Sequence, residues 1–394
     1  MSRPIAYLAQ GKLYLQEAQN QFREIKSEFG QSIQRQRLQA QRRNAWKDRG
    51  IRSMMMSPQA MAQLEQQAEA VVPVAISRLC NSGEGKFFYA LEAGEMGALF
   101  RFDPNGDRED RLFHNADFQI SHLDYSAEDD LIACTKAYPT GITNIATLSP
   151  NSVRPNDMTE GDSIDLAPRW IPNQKALVYQ SAGVSRNGEG FVVNRAPFSI
   201  EKLDFHQQDL TTLAEDPKSD FLGPQVGSDG LLYYIRRPYR SFHRSFNIWQ
   251  FLKDILLIPV RLAYAIFQFF NFFSQSFTGK PLIAAGTQQK VEPKRMRIWG
   301  DWLTLDNLPN QHAEDQDAPP LVPSSWELVR QGNQGVPEVL ATSVLAYDLA
   351  ADGTVAYSNG SGIYLLSAQG ERQRVAIAHQ IEAVRFLDSR EQQE

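Results

Sequence analysis

The chain has 394 residues, 42% of them hydrophobic and 22% charged, which excludes wholesale disorder and leaves room for one large domain or two to three smaller ones. A net charge of −6 argues against a molecule that grips nucleic acid through its overall charge. The average conceals a split: residues 231–300 hold eleven Lys or Arg against two acids, Asp254 and Glu292, while the other 324 residues hold 29 against 44.

The first element along the chain is half of a repeat. Residues 6–25, AYLAQGKLYLQEAQNQFREI, align with 356–375, AYSNGSGIYLLSAQGERQRV, at a constant offset of 350. Ala6, Tyr7, Tyr14, Leu15, Ala18 and Gln19 recur as Ala356, Tyr357, Tyr364, Leu365, Ala368 and Gln369. The shared unit alternates apolar and polar residues between Gly, Asn or Gln turns, which predicts strands over 4–8, 12–17 and 22–27. The opening MSRPIAYLAQGK has neither an apolar stretch nor a small-residue cleavage site, so no secretory signal is expected. Cys80 and Cys134 are too few for a disulfide framework and lie in apolar runs; they read as reduced, buried thiols of a cytoplasmic protein.

Residues 28–71 interrupt the strands. Gly30 to Lys47 lacks alternation, and Ser57-Pro58 followed by QAMAQLEQQAEAV supplies an N-cap, a proline at the first helical position and helical spacing of Met61, Leu64 and Ala68. Two helices are predicted. Arg35, Arg37, Arg42, Arg43, Lys47, Arg49 and Arg52 invite a nucleic-acid reading, but aromatics are absent between them apart from Trp46. A solvated helix packed across one face of the fold, anchored by Trp46 and Ile51, is the favoured reading, and nucleic acid is not an expected partner.

Strands resume at Val72 with VPVAISRLCNSGEGKFFYAL. Similar strand–turn–strand units open at Ile120, Asp165, Phe221 and Val344, with hairpins such as RFDPNGDRED (101–110) between them. This is a four-stranded antiparallel meander recurring roughly every 40 to 55 residues. Such meanders bury both faces by radial stacking, so the expected fold is all-β: a six-bladed β-propeller occupying 1–27 and 72–394 with two helical insertions. The last strand, IEAVRFLD (381–388), reads as the opening strand of the blade begun at the N-terminus, which closes the ring and removes an edge.

The stretch DSIDLAPRWIPNQKALVYQSAG (162–183), an apolar strand with a Pro-Arg-Trp corner and a Pro-Asn turn, resembles the repeat of the TolB-like six-bladed propellers, and the likeness extends over most of the chain as a weak repeat. RRNAWK (42–47), YYIRRPYR (233–240) and FQFFNFF (267–273) look like segments of uncharacterised bacterial members of that group. Unlike TolB, the chain is expected to have neither a signal peptide nor that protein's N-terminal domain. The resemblance therefore implies a fold and no activity, and a periplasmic translocation role is not carried over.

The second insertion, 246–278, contains FNIWQFLKDILLIPVRLAYAIFQFFNFFSQSF, with eight of the 22 phenylalanines. Asn247, Asp254, Arg261, Gln268 and Gln275 recur every seven residues, leaving a narrow polar stripe and a broad apolar face; Pro259 kinks or divides the helix. A bilayer span is poorly served, because Lys253, Asp254 and Arg261 bracket six apolar residues. An interfacial amphipathic helix pair fits better, with Trp249, Phe251, Leu256, Leu257, Phe267, Phe269, Phe270, Phe272 and Phe273 facing lipid or a partner. Arg236, Arg237, Arg240 and Arg244 border it on one side and Lys280, Lys290, Lys294, Arg295 and Arg297 on the other, suited to an anionic membrane surface. Packing on the propeller or on a second copy are the competing readings. Residues 306–325, acidic and Pro-rich, read as a surface loop returning to the interrupted blade.

No catalytic motif rivals this segment. The six histidines are scattered, no Gly-x-Ser-x-Gly elbow occurs, DPNGD (103–107) is hairpin-turn chemistry, and no metal or cofactor is expected. Alignment of the units puts Asp124, Trp170, Gln225 and Asp348 at equivalent inner-strand positions, with Arg78, His122, Asp165, Arg169 and Arg385 nearby. These residues either line an axial funnel that binds a small polar ligand or tie neighbouring blades together, and the second reading is favoured. The expected function is a non-enzymatic binding or scaffold protein, cytoplasmic and peripheral on the inner membrane, with a protein partner. A hydrolase or lyase with its site in the funnel, and an oligomeric scaffold joined through the Phe-rich helices, are the alternatives.

Overall fold

The computed structural model describes residues 4–18, 21–36, 39–40, 74–94, 96–115, 120–152, 154–240, 295–299, 301–304, 317–332 and 335–387. Contacts divide the chain into two units. The first comprises Met1–Glu28, Val74–Phe242 and Pro293–Glu394; the second comprises Phe29–Pro73 and His243–Glu292 and is described only over 29–36 and 39–40, which are helical. The second helix expected in 28–71 lies outside the described residues, as does the Phe-rich segment.

The first unit is built from antiparallel meanders. β1 (Ile5–Ala9), β2 (Lys12–Ala18) and β3 (Gln21–Ile25) form one sheet with the last strand of the chain. β4 (Val74–Gly83), β5 (Lys86–Ala93), β6 (Met96–Asp103) and β7 (Arg108–Asn115) make the next. β8 (Ile120–Ser126), β9 (Leu131–Ala137) and β10 (Thr143–Leu148), with the short β11 (Asn156–Asp157), precede β12 (Ser163–Trp170), β13 (Ala176–Arg186), β14 (Val192–Arg195), β15 (Ser199–Asp204) and β16 (Asp209–Ala214). One parallel pairing, Thr143 with Ile164, joins these two groups into a nine-stranded sheet. β17 (Ser219–Val226) and β18 (Leu232–Pro238) are separated in sequence from their sheet partners by a two-stranded hairpin, β19 (Arg295–Ile298) and β20 (Asp301–Thr304). The partners are β21 (Glu327–Gln331) and β22 (Glu338–Thr342). β23 (Ala346–Leu349), β24 (Val355–Ser358), β25 (Gly362–Leu366) and β26 (Arg372–Ile377) form the last complete meander, and β27 (Ile381–Phe386) returns to pair with β1, Ile5 opposite Phe386.

The repeat predicted at the two chain ends is present in the ladders. Tyr7 pairs with Tyr14 and Ala6 with Leu15, as Tyr357 pairs with Tyr364 and Ala356 with Leu365. Both tyrosine pairs stack, with ring centroids 4.9 and 5.2 Å apart, and Tyr89 stacks on Phe100 in the same way at 5.1 Å between β5 and β6. Each pair joins the second and third strands of its meander, so a cross-strand aromatic contact is a fixed part of the unit.

The first strands of the meanders lie against one another: β4 by β8, β8 by β12, β12 by β17, β17 by β23, β23 by β27 and β27 by β4. Bulges interrupt several of them, between Ile76 and Arg78, Ile120 and Leu123, Leu166 and Arg169, and Leu222 and Gln225. His122, Ala167 and Gly223 take φ of 85°, 54° and 58° in the last three. A bulge adds an unpaired residue, bends its strand and re-aims the side chains that follow.

Residues 317–325 differ from the expected surface loop. Ala318 and Val322 are buried, the Leu321 amide donates to the Asn359 carbonyl at 2.8 Å, and Asn359 Nδ2 donates to the Ala318 carbonyl at 2.9 Å. Gly360, with φ of 94°, lets Leu321 approach so closely that a Cβ there would lie 2.7 Å from it. The apolar residues among the prolines carry this segment inward.

Candidate functional site

A hairpin joins each of several inner strands to its second strand, and the ladder closes at Ser126 with Leu131, Ile171 with Ala176, Gly227 with Leu231 and Ala350 with Thr354; Leu387 closes likewise on Pro4. Two residues before these closures stand Asp124, Arg169, Gln225, Asp348 and Arg385. Counted from the hairpin, Arg169 holds the place that the sequence alignment gives to Trp170. The bulge ahead of it shifts β12 by one side chain, and strand alternation alone carries no sign of that.

Four of the five residues form one network. Arg169 Nη1 donates to Asp124 Oδ1 at 2.7 Å, and Arg169 Nη2 donates to Asp348 Oδ1. The second oxygen of each aspartate accepts a backbone amide of the next inner strand: Asp124 Oδ2 from Trp170 at 2.7 Å, Asp348 Oδ2 from Phe386 at 2.9 Å. Arg385 Nη1 lies 3.4 Å from Asp348 Oδ1 and donates to the Tyr347 carbonyl at 3.2 Å. Gln225 Nε2 donates to the same carbonyl at 3.2 Å, and Tyr347 Oη lies 2.6 Å from the Gly223 carbonyl and 2.7 Å from the Tyr233 carbonyl, either of which can take its single proton. Asp124, Gln225 and Asp348 thus fasten their own inner strands to the next, while Arg385 reaches back to β23 and Arg169 reaches back to β8 and across to β23.

The electrostatics follow from burial. Desolvation works against the Arg169 charge, but the Asp124 and Asp348 carboxylates beside it outweigh that and hold its pKa above the ordinary value. Arg385 is displaced the other way, by burial first and then by the Arg169 charge, despite Asp348 and Asp124. Burial likewise pushes the Tyr347 phenol well above its usual range. Acids and arginines thus face each other across the inner strands, each arginine against a carboxyl group.

Asp165 stands apart. It is buried at the far end of β12 and accepts from Ser181 Oγ at 2.7 Å, with its carboxyl raised by desolvation, in part offset by Thr159, Ser181 and Ser163. Arg78 and His122 lie beside Arg385 around a cavity of about 40 Å³, whose lining also includes Trp299 and Glu382. Trp299, at the tip of the β19–β20 turn, stacks on His122 with centroids 5.9 Å apart and donates from Nε1 to the Leu345 carbonyl at 2.9 Å. Its ring occupies the space over Gly223, where a Cβ would meet it at 2.3 Å. Neither Trp299 nor Glu382 is evident as a site residue from sequence; both belong to no motif, and only the fold brings them to the inner strands.

Two of the expected membrane-border arginines are engaged elsewhere. Arg237 is buried, donates from Nε to Asp220 Oδ2 at 3.0 Å and lies over the Trp326 ring at 4.9 Å. Arg236 donates through Nε and Nη2 to Glu327 Oε2 across the β18–β21 ladder. β18 continues to Pro238, so both guanidinia find partners within the sheet. Arg240 is exposed. Arg244, Lys280, Trp249, Phe251, Leu256, Leu257, Phe267, Phe269, Phe270, Phe272 and Phe273 lie outside the described residues.

No protein-family model matches the sequence, and no curated protein matches it. Among solved structures the chain is similar to TolB from Acinetobacter baumannii, at 12% identity and a TM-score of 0.51 over 98% of this chain and 67% of that one. It is equally similar to a chain of the nidogen/laminin complex, at 7% identity and a TM-score of 0.51 over 97% of both chains. A putative TolB from Agrobacterium tumefaciens matches over 80% of this chain and 92% of that one at 14% identity and a TM-score of 0.38. The likeness shows the fold, which is that of a β-propeller.

Proposed function

From that fold we propose a non-enzymatic binding or scaffold protein, a six-bladed propeller closed by its terminal strands, that docks on an anionic membrane surface through residues 246–277. The observation that carries the binding reading is the Arg169 network: the charged inner-strand residues, the natural material of a catalytic centre, are paired with one another and with backbone amides of neighbouring strands. Pairing of β27 with β1 and the contact of β27 with β4 support closure. The terminal sheet then holds the two ends of the chain together like a clasp.

Membrane docking rests on the Phe-rich stripe and its basic border. With Arg236 and Arg237 engaged within the fold, seven of the nine flanking Lys and Arg remain for the surface. If half of them reach anionic headgroups, each contributes about 1 kcal/mol to the apolar insertion. Flotation with vesicles of phosphatidylserine and phosphatidylcholine tests it. The full chain is expected to float and a variant lacking 246–277 to stay at the bottom of the gradient; a full chain that stays at the bottom rejects the membrane part. A monodisperse oligomer that dissociates on the same deletion, without flotation of either protein, would instead support association through these helices.

A further inference from the structure

In most meanders the second strand turns into the third within a few residues: Ala9 to Lys12 between β1 and β2, Ala93 to Met96 between β5 and β6, Ser358 to Gly362 between β24 and β25. Two connections at this position are long. One is the stretch from Pro238 to Glu327 that carries the Phe-rich segment; the other, in the neighbouring meander, runs from Arg186 through β14 to Ser199. β14 pairs with the last residues of β13 and lies off the main path of its sheet, so the ladder does not need it. Antiparallel alternation puts both connections at the same end of the sheets, and their bases touch. Tyr239 Oη donates to the Arg195 carbonyl, and the Arg195 guanidinium lies 5.5 Å from the centre of the Tyr239 ring.

The hairpin that β13 and β14 form carries apolar side chains into solvent. Phe191 is 66% exposed and Val193 45%. Its tip is held by its own hydrogen bonds: Asn187 Oδ1 accepts the amides of Glu189 at 3.1 Å and Phe191 at 2.9 Å, and the Asn187 amide donates to the Phe191 carbonyl at 3.0 Å. The Gly190 amide donates to the Asn187 carbonyl at 3.0 Å, and Arg186 Nη1 to the Gly190 carbonyl at 2.8 Å. A turn whose polar groups are met internally enters the headgroup region without stranding them, and its Phe and Val gain by burying there. The cations of the hairpin are engaged: Arg186 pairs with Asp162 at 2.9 Å and Arg195 with the buried Asp220 at 2.8 Å. Attraction at this tip is therefore apolar, not electrostatic.

Lipid is the occupant that the adjoining connection specifies, since the Phe-rich stripe and its basic border follow Tyr239 directly in sequence. We propose that the β13–β14 hairpin is a second membrane contact, with Phe191 and Val193 entering the surface on which residues 246–277 dock. This contact presupposes that docking. It gives the protein two points of attachment from neighbouring meanders, one basic and amphipathic, the other purely apolar.

The test places a nitrobenzoxadiazole label, whose emission reports polarity, at Phe191→Cys in the full chain. Cys80 and Cys134 are fully buried and stay unlabelled in the native protein. Gln207→Cys, exposed in the turn between β15 and β16 at the opposite end of the sheet, is the control. On addition of vesicles of phosphatidylserine and phosphatidylcholine, the label at 191 is expected to brighten and shift to the blue, and the label at 207 to stay as in water. Phe191→Ser combined with Val193→Ser changes no charge, and is expected to lower partition about tenfold at low and at high salt alike. Vesicle binding with an unchanged label at 191, or equal partition of the serine variant, overturns the hairpin contact and leaves attachment through 246–277 standing. Failure of the wild type to bind vesicles overturns both. A label at 191 that shifts with protein concentration in the absence of vesicles overturns the lipid contact in favour of contact between copies.

Discussion

Replacing Asp220 with Asn is expected to be among the most damaging single changes of charge in this fold. The carboxylate is 1% exposed and accepts four hydrogen bonds: Arg195 Nη1 at 2.8 Å, Arg195 Nη2 at 3.0 Å, Arg237 Nε at 3.0 Å and the Phe198 amide at 3.0 Å. The two guanidinia are themselves buried, Arg195 over the Phe198 ring at 4.3 Å and Arg237 over Trp326. Asn keeps an acceptor for Phe198 but removes the negative charge that both buried cations share, and breaking such a buried pair costs about 3–5 kcal/mol. Urea unfolding at pH 7 measures it through the shift in midpoint at constant slope. A loss below about 1 kcal/mol would show that the cluster is solvated and that the burial argument is wrong.

The pH dependence of that difference has a definite sign. Burial alone would raise the Asp220 pKa, but the Arg195 and Arg237 charges and hydrogen bonds outweigh it and hold the group below the usual carboxylate value. Its contribution is therefore complete above the unfolded-chain pKa of about 3.9 and is lost as pH falls through the lower folded value. Wild type and Asp220→Asn should differ by a constant amount from pH 6 to 8 and converge in acid.

Three further outcomes follow from the inner strands and the core. Arg169→Leu strands two mostly buried aspartates and should cost about 3–5 kcal/mol, with a coupling of at least ~1 kcal/mol to Asp124→Asn in a double-mutant cycle; additive losses would dissolve the network. Gly223→Ala sets a methyl against the Trp299 ring at a positive φ, and should destabilise by more than about 1 kcal/mol and shift tryptophan emission, a shift absent in a Trp299→Phe background. Cys80 and Cys134 are fully buried, and desolvation raises both thiols, Cys134 to about 12, so Ellman's reagent should label them only after unfolding; prompt labelling of the native protein would contradict their placement.

Much of the fold was legible because its signals are local. The pairing of Tyr7 with Tyr14 and Tyr357 with Tyr364 follows from two-residue alternation around a short turn, and the offset of 350 exposes the same unit twice. The inner-strand residues were legible as a set for the same reason. Their partners were not: Arg169 and Asp348 are 179 residues apart, and nothing in either segment announces the other. The exchange of Arg169 for Trp170 turns on a bulge, which adds a residue without disturbing composition. Arg237 was misplaced because a basic run beside an apolar segment looks alike whether it meets lipid or a buried aspartate. Trp299 had no pattern at all; its role depends on Gly223 and His122, each from a different strand.

The central claim is that this propeller acts by attachment through its Phe-rich insertion. The most direct measurement is partition of the full chain onto anionic vesicles, compared with a variant carrying Phe269→Ser, Phe270→Ser, Phe272→Ser and Phe273→Ser. Wild type should bind and retain part of its binding at high salt, while the serine variant, with every positive charge intact, should be released by salt. Equal partition of the two proteins at every salt concentration, or no partition of either, would contradict the account.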